Sequence, residues 1–254
     1  MAKIITFINE KGGVGKTSVC FNLAWEIASR GKKILLVDLD GQKANLSFFA
    51  GTDKGNTASM AEVFKLGTDI SSVITNVKEN LDIIPASSSV VSLDITSAKV
   101  SKFRSALAKV ANNYNFIFID VSPTPSWSHY LSLSVSDFAL IILLPDIASL
   151  EGNKGILDTI DEVQQTSNSK LKILGFLLNK FNSRASLSEQ VMLAAKGIAS
   201  QLNSRVFKHS INQSVLLSEN VIQHKGITEY APKSLPSKLY FLFADEFLEV
   251  IEND

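Results

Sequence analysis

Cysteine and histidine are scarce in this 254-residue sequence: one Cys, Cys20, and three His, at 129, 209 and 224. A lone thiol excludes a disulfide framework and any all-cysteine metal site within one chain, and the histidines lie too far apart for ligand spacing. Charge of one sign is also missing, since 25 Lys+Arg balance 25 Asp+Glu to a formal net charge of +0. A bulk positive field for DNA or anionic lipid is therefore absent, and any such binding must come from a local patch. No apolar run approaches the ~18 residues of a membrane span. The longest, 138–144, has the length of a buried strand. The start carries no signal-peptide pattern, and a first strand beginning at Ile4 leaves no room ahead of it for a DNA-reading module. What remains is 45% hydrophobic and 20% charged, enough to bury a core and too apolar for disorder. The expectation is a soluble intracellular protein of one domain, 1–254.

Short apolar, β-branched runs at 4–9, 34–38, 81–84, 116–120, 138–144 and 173–178 alternate with segments of helical period at 16–29, 99–111, 150–165, 186–202 and 237–251. Several runs are apolar at every position, as strands covered on both faces are. Gly31 stands where the first helix should stop in a left-handed residue. This alternation predicts an α/β fold: a doubly wound, mostly parallel sheet with helices on both faces. The stretch 41–77, rich in small polar residues, reads as loop plus short helix. Ligands in such sheets bind at the carboxyl ends of the strands, so the residues after each strand matter most.

After the first strand comes Glu10-Lys11-Gly12-Gly13-Val14-Gly15-Lys16-Thr17-Ser18, opening into a helix. The glycines let backbone N–H groups turn inward around an anion at a helix N-terminus. Lys16 offers a cation to β- and γ-phosphates, and the Thr17 hydroxyl can ligate Mg²⁺. Glu10 stands where the usual first glycine would be, and Lys11 follows it. The second strand closes on Asp38-Leu39-Asp40, two carboxylates two residues apart on a strand and therefore pointing the same way. The run 115–120 is apolar and ends in Asp120, a carboxylate placed to reach Mg²⁺, commonly through water.

Lys11-Gly-Gly-Val-Gly-Lys-Thr17 resembles the deviant Walker A motif of the ParA/MinD superfamily of P-loop ATPases. The resemblance implies ATP and Mg²⁺ as ligands, with Lys11 reaching across a homodimer to the partner's phosphates, as an arginine finger does. Asp38-Leu-Asp40-Gly-Gln looks like the family's switch I, D-x-D-P-Q. It implies that Asp38 supports Mg²⁺ indirectly, through the ion's own ligands, and that Asp40 orients the attacking water. Asp120-Val-Ser-Pro123 looks like switch II, D-x-P-P. Gly41 replaces a proline, and one extra residue precedes Asn45.

Similarity to the ParA/Soj partition ATPases runs on through Leu178-Asn179-Lys180, which makes Asn179 a candidate base contact, and through Arg184-Ala-Ser-Leu-Ser-Glu to the segment 206–219 and on to Tyr240. The loop 145–152 is shorter than in Soj-like members. Relatives form a sequence-independent DNA patch with basic residues here. This chain keeps Arg184, Lys208 and Lys225 but has Gln213 and Leu216 where relatives carry arginine, so weak DNA binding is implied. The resemblance implies a ParA-type partition ATPase: a cytoplasmic, nucleoid-visiting dimer with slow hydrolysis, stimulated by a ParB-like adaptor, that positions plasmid or chromosomal DNA. The alternatives are a relative that positions a protein cargo and a MinD-like membrane-associated regulator. The second requires a basic amphipathic tail, whereas residues 241–254 carry five acidic side chains and no lysine. A cluster carrier resembling the nitrogenase iron protein would need two cysteines per chain. An amide-forming ligase on the same fold is opposed by Lys11 and the C-terminal resemblance.

Overall fold

The structure, a computed structural model, describes residues 1–52, 59–86, 96–124, 127–146, 149, 154–182 and 185–253, without the side chains of 65 and 66. An eight-stranded sheet runs in the order β3-β4-β2-β5-β1-β6-β7-β8. Its strands are β1 (Lys3–Ile8), β2 (Ile34–Asp38), β3 (Thr75–Lys78), β4 (Leu81–Ile84), β5 (Phe116–Asp120), β6 (Phe138–Leu143), β7 (Lys172–Phe181) and β8 (Ile211–Asn212). Every pairing is parallel except that of β3 with β4. This is the doubly wound arrangement read from the alternating runs.

The two faces divide the sheet's side chains with period two. Ile5, Phe7, Leu36, Phe118, Leu140 and Ile142 point into one core. Ile8, Val37, Ile119, Ala139, Ile141 and Leu143 point into the other. Because both faces are covered, β2, β5 and β6 are buried at every position. The first face is covered by α1 (Lys16–Ser29) and by a long C-terminal helix, Leu235–Asn253. Tyr240, Phe243 and Phe247 of that last helix are fully buried, each stabilising by roughly 2 kcal/mol. The rings of Phe118 and Phe247 meet edge to face at 5.6 Å. The second face is covered by Ser97–Val110, Trp127–Val135, Lys154–Thr166 and Ser186–Gln201. Gly31 takes a φ of +81° after α1, and its N–H donates to Ala28 O.

In chain order the helices between α1 and the end are α2 (Asn45–Phe49), α3 (Met60–Leu66), α4 (Ser97–Val110), α5 (Trp127–Val135), α6 (Lys154–Thr166), α7 (Ser186–Gln201), α8 (Leu216–Ile222), α9 (Ile227–Tyr230) and α10 (Leu235–Asn253). The stretch expected as loop plus short helix holds α2, α3 and the start of β3. Residues 150–153, where a helix was expected to begin, lie outside the described residues, as does most of the 145–152 loop. On the α1 side, a Cβ at Gly226 would stand 2.1 Å from Cγ of Trp25, so only glycine lets the segment before α9 cross that ring.

Candidate functional site

The residues after β1 turn through left-handed glycines, Gly13 at φ +75° and Gly15 at φ +90°, and enter α1 at Lys16. A side chain at Gly15 would also collide with the Asn179 amide, since its Cβ would lie 2.3 Å from Asn179 Nδ2. Asn179, near the end of β7, donates to Val14 O at 2.7 Å, and the next residue, Lys180, donates from Nζ to Gly13 O at 2.8 Å. The strand end therefore grips the loop from one side. Asn179, Gly15, Ser18, Asn212, Gln213 and Val221 line a cleft of about 480 Å³, of the size that takes a small organic ligand.

Lys16 is 5% exposed. Burial pushes its ammonium pKa down, and the carboxylates of Asp120 and Asp40 oppose that push. Asp120 closes β5 beside Asp38, its register partner on β2. Its Oδ2 accepts from the Thr17 hydroxyl at 2.7 Å, while its Oδ1 is buried with no hydrogen-bond partner among the described residues. Desolvation, then the neighbouring Asp38, holds the Asp120 carboxyl well above the usual range. Asp38 is fully buried and accepts from the Ser47 N–H (2.8 Å), the Ser47 hydroxyl (2.7 Å) and the Asp40 N–H (3.0 Å). Burial nevertheless pushes its pKa up to about 6.

Asp40 departs from the expected arrangement. The strand ends at Asp38, with Leu39 N–H donating to Asp120 O as the last bond of the parallel ladder, and the chain then turns. Asp40 is buried in that turn, and its Oδ1 accepts from Gln42 N–H (3.2 Å) and Lys43 N–H (3.3 Å). The two carboxylates are thus brought together through a turn and not along one strand face.

Lys11 points elsewhere. Its Nζ pairs with both Asp146 oxygens, at 3.0 and 2.9 Å, and its side chain is 41% exposed. Its N–H donates to Asn9 Oδ1, and Asn9 Nδ2 donates to Ile142 O, so the start of the loop is tied to β6. Asn9 and Asp146 were not singled out from the sequence. Their one signal is position, directly after a buried strand. Glu10 lies over Gly155 of α6, where a Cβ would stand 2.6 Å from Glu10 Oε2, and burial followed by Asp158 pushes its pKa up.

The chemistry of the donor set fits a magnesium ion held largely by phosphate and water. Among the described residues no three His, Cys, Asp or Glu side chains group as a metal site. The Thr17 hydroxyl and the orphaned Asp120 oxygen are the ligands a cation bound that way requires from protein.

Of the candidate DNA contacts, Lys208 and Lys225 are exposed among the described residues. Arg184 lies outside the described residues. Lys225 Nζ pairs with Glu229 at 3.0 Å, and the backbone N–H groups of Lys208 and His209 both donate to the Glu246 carboxylate. Cys20 is buried in α1, and no helix among the described residues is long and apolar enough to cross a membrane.

Residues 2–173 match the family described as an AAA domain. The chain is 34% identical to the sporulation initiation inhibitor protein Soj of Bacillus subtilis, over 97% of this chain and 98% of that protein. It is 32% identical to the chromosome partitioning protein ParA of Myxococcus xanthus, over 98% and 89%. Its fold is similar to cobyrinic acid a,c-diamide synthase of Mycobacterium smegmatis, solved with ADP and magnesium, with a TM-score of 0.84 and 24% identity over 99% and 96% of the two chains.

Proposed function

The chain belongs to the ParA/MinD superfamily of ATPases, and from that premise we propose that residues 1–254 form one ATP-switched unit that segregates DNA. It binds ATP with Mg²⁺, dimerises face to face around two nucleotides, hydrolyses slowly, and is stimulated by a ParB-like adaptor. One observation supports this reading above the others. The two lysines of one loop serve different places, Lys16 buried among Asp120 and Asp40 and Lys11 half exposed on Asp146. A lysine held outside its own pocket by an exchangeable pair suits a group that completes a second subunit's site.

In this reading the N–H groups of Gly12 to Ser18 and the Lys16 ammonium hold the phosphates, and Asn179 holds the base. When bound, the magnesium ion neutralises phosphate charge. Thr17 and Asp120 hold it, Asp38 backs it up, and Ser47 fixes Asp38. Asp40 orients the attacking water once its turn opens around nucleotide, and Lys11 supplies positive charge in trans as the phosphoryl group leaves.

DNA binding in this reading is sequence-independent and weak, carried by Arg184, Lys208 and Lys225 doubled in the dimer, because Glu229 and Glu246 stand among them. The protein works in the cytoplasm and on the nucleoid. A MinD-like membrane role is disfavoured, because the apolar side of α10 is already spent on the core.

Asp40→Ala tests the reading. ATP binding should persist, turnover should stop, and an ATP dimer should accumulate in light scattering. A mobility-shift series with ATP, ADP and rising salt tests the DNA arm. A shift that needs ATP and disappears at modest salt supports partition. No shift with ATP at low salt favours positioning of a protein cargo instead.

A further inference from the structure

The site is completed by a buried group that the motifs do not contain. His129 sits in the first turn of α5 and is 2% exposed. Its Nε2 lies 2.6 Å from Ser122 O, two residues beyond Asp120. Ser122 is itself buried, and its hydroxyl accepts from the Thr124 N–H. Desolvation pushes the imidazole pKa below its ordinary value, the hydrogen bond to Ser122 opposes that push, and the Lys16 ammonium, within electrostatic reach of the ring, adds to it.

A neutral imidazole has a single N–H, and a carbonyl oxygen can only accept. The contact with Ser122 therefore places a proton on Nε2. On its other side, the same strand end is fixed by Leu39 N–H donating to Asp120 O. The chain leaving β5 is thus held twice, once by the residue after Asp38 and once by His129. The first hold is on Asp120 itself, whose side-chain Oδ1 has no hydrogen-bond partner among the described residues.

We infer that His129 is a positioning residue for ATP hydrolysis: its Nε2–H grips the Ser122 carbonyl and keeps the segment after Asp120 at the phosphate end of the loop. The inference rests on the ATPase reading above. It touches neither the nucleotide cleft lined by Asn179 nor the loop N–H groups, so its loss should be felt in turnover and not in binding. A misplacement of catalytic groups by about 1 Å is enough to cost roughly 100-fold in rate.

His129→Phe removes the donor at similar volume, and His129→Gln restores an amide N–H on a chain of comparable reach. Both should be compared with wild type for ATP turnover, KM and melting temperature. The expected result is a kcat at least tenfold lower in His129→Phe with KM within about twofold, and recovery of most of the rate in His129→Gln. Wild-type kcat in a folded His129→Phe overturns the inference, as does an equal loss in both variants.

Should His129→Phe not fold, the ring ¹⁵N spectrum of the wild type with ATP and Mg²⁺ decides. An Nε2 that keeps its proton from pH 6 to 8 supports the inference, and a ring protonated on Nδ1 alone overturns it. Lys16→Ala run alongside separates the two levels. Undiminished ATP binding in that variant, or a wild type without turnover, removes the ATPase reading and this inference with it, whereas an inert His129 removes only the positioning role.

Discussion

The two ends of the phosphate loop are built on opposite principles. At its helical end Lys16 is buried beside two carboxylates, and the Gly13 and Val14 carbonyls before it accept from Lys180 and Asn179 of β7. At its strand end Lys11 holds one carboxylate at the surface, and that pair is 41% and 36% exposed. Breaking a buried arrangement leaves an uncompensated charge and costs several kcal/mol. A surface pair is worth about 0–1 kcal/mol and is weakened by salt. One end is preorganised for the chain's own ligand, and the other is cheap to release.

The largest effect should come from the buried end. Lys16→Ala should lose ATP affinity by at least tenfold, about 1.4 kcal/mol, and all turnover with it. Isothermal titration with ATP and Mg²⁺ checks this, and unchanged affinity would remove the phosphate-loop assignment.

Lys11→Ala should separate the two ends. ATP should bind the monomer within about threefold of wild type, while the ATP dimer seen by light scattering, and hydrolysis, should be lost. Equal damage to monomer binding would mean that Lys11 serves its own pocket.

A smaller change is expected of Asp146→Asn, which keeps an acceptor for the Ser149 N–H but drops the charge. Stability in urea should change by less than about 1 kcal/mol. A loss of several kcal/mol would show that the strand end is as rigid as the helical end.

A separate test of the buried end concerns pH. Asp38, at about 6, and Asp120 bind protons more tightly in the folded chain than at their ordinary value of 3.8. Folding therefore takes up protons. The nucleotide-free chain should gain stability from these two groups as pH falls from 8 towards 4, and lose it as pH rises through about 6 for Asp38 and about 8 for Asp120. Melting scans of wild type and Asp120→Asn compare the slopes, and identical slopes would exclude Asp120 from the effect.

Much of the helical end was legible because chemistry and fold demand the same residues there. β2 and β5 are apolar at each position until the aspartate that ends them, so their bounds and their site residues are read together. Elements with mixed surroundings were harder to read. Thr75–Lys78 is a half-exposed edge with no apolar run. Helix α5 was hidden by its serines, which disfavour helix when free. Here they are absorbed by bonding back, Ser134 to Tyr130 O and Ser132 to His129 O. Strand β7 extends beyond its apolar stretch into Asn179 and Lys180, where the gain comes from contact with the loop. Asp146 and His129 act through partners more than 100 residues and seven residues away, respectively. No local period records a meeting of that kind.

The chain's two tryptophans fall on either side of this division, which gives the protein a built-in optical readout. Trp25 is shut in beneath Gly226 with the Lys78 ammonium 4.4 Å from its ring centre, so its emission should stay constant. Trp127 opens α5, half-buried, one turn from the His129 grip on Ser122. Nucleotide-driven movement behind Asp120 should therefore change the fluorescence of one residue against the steady background of the other, with no dye attached.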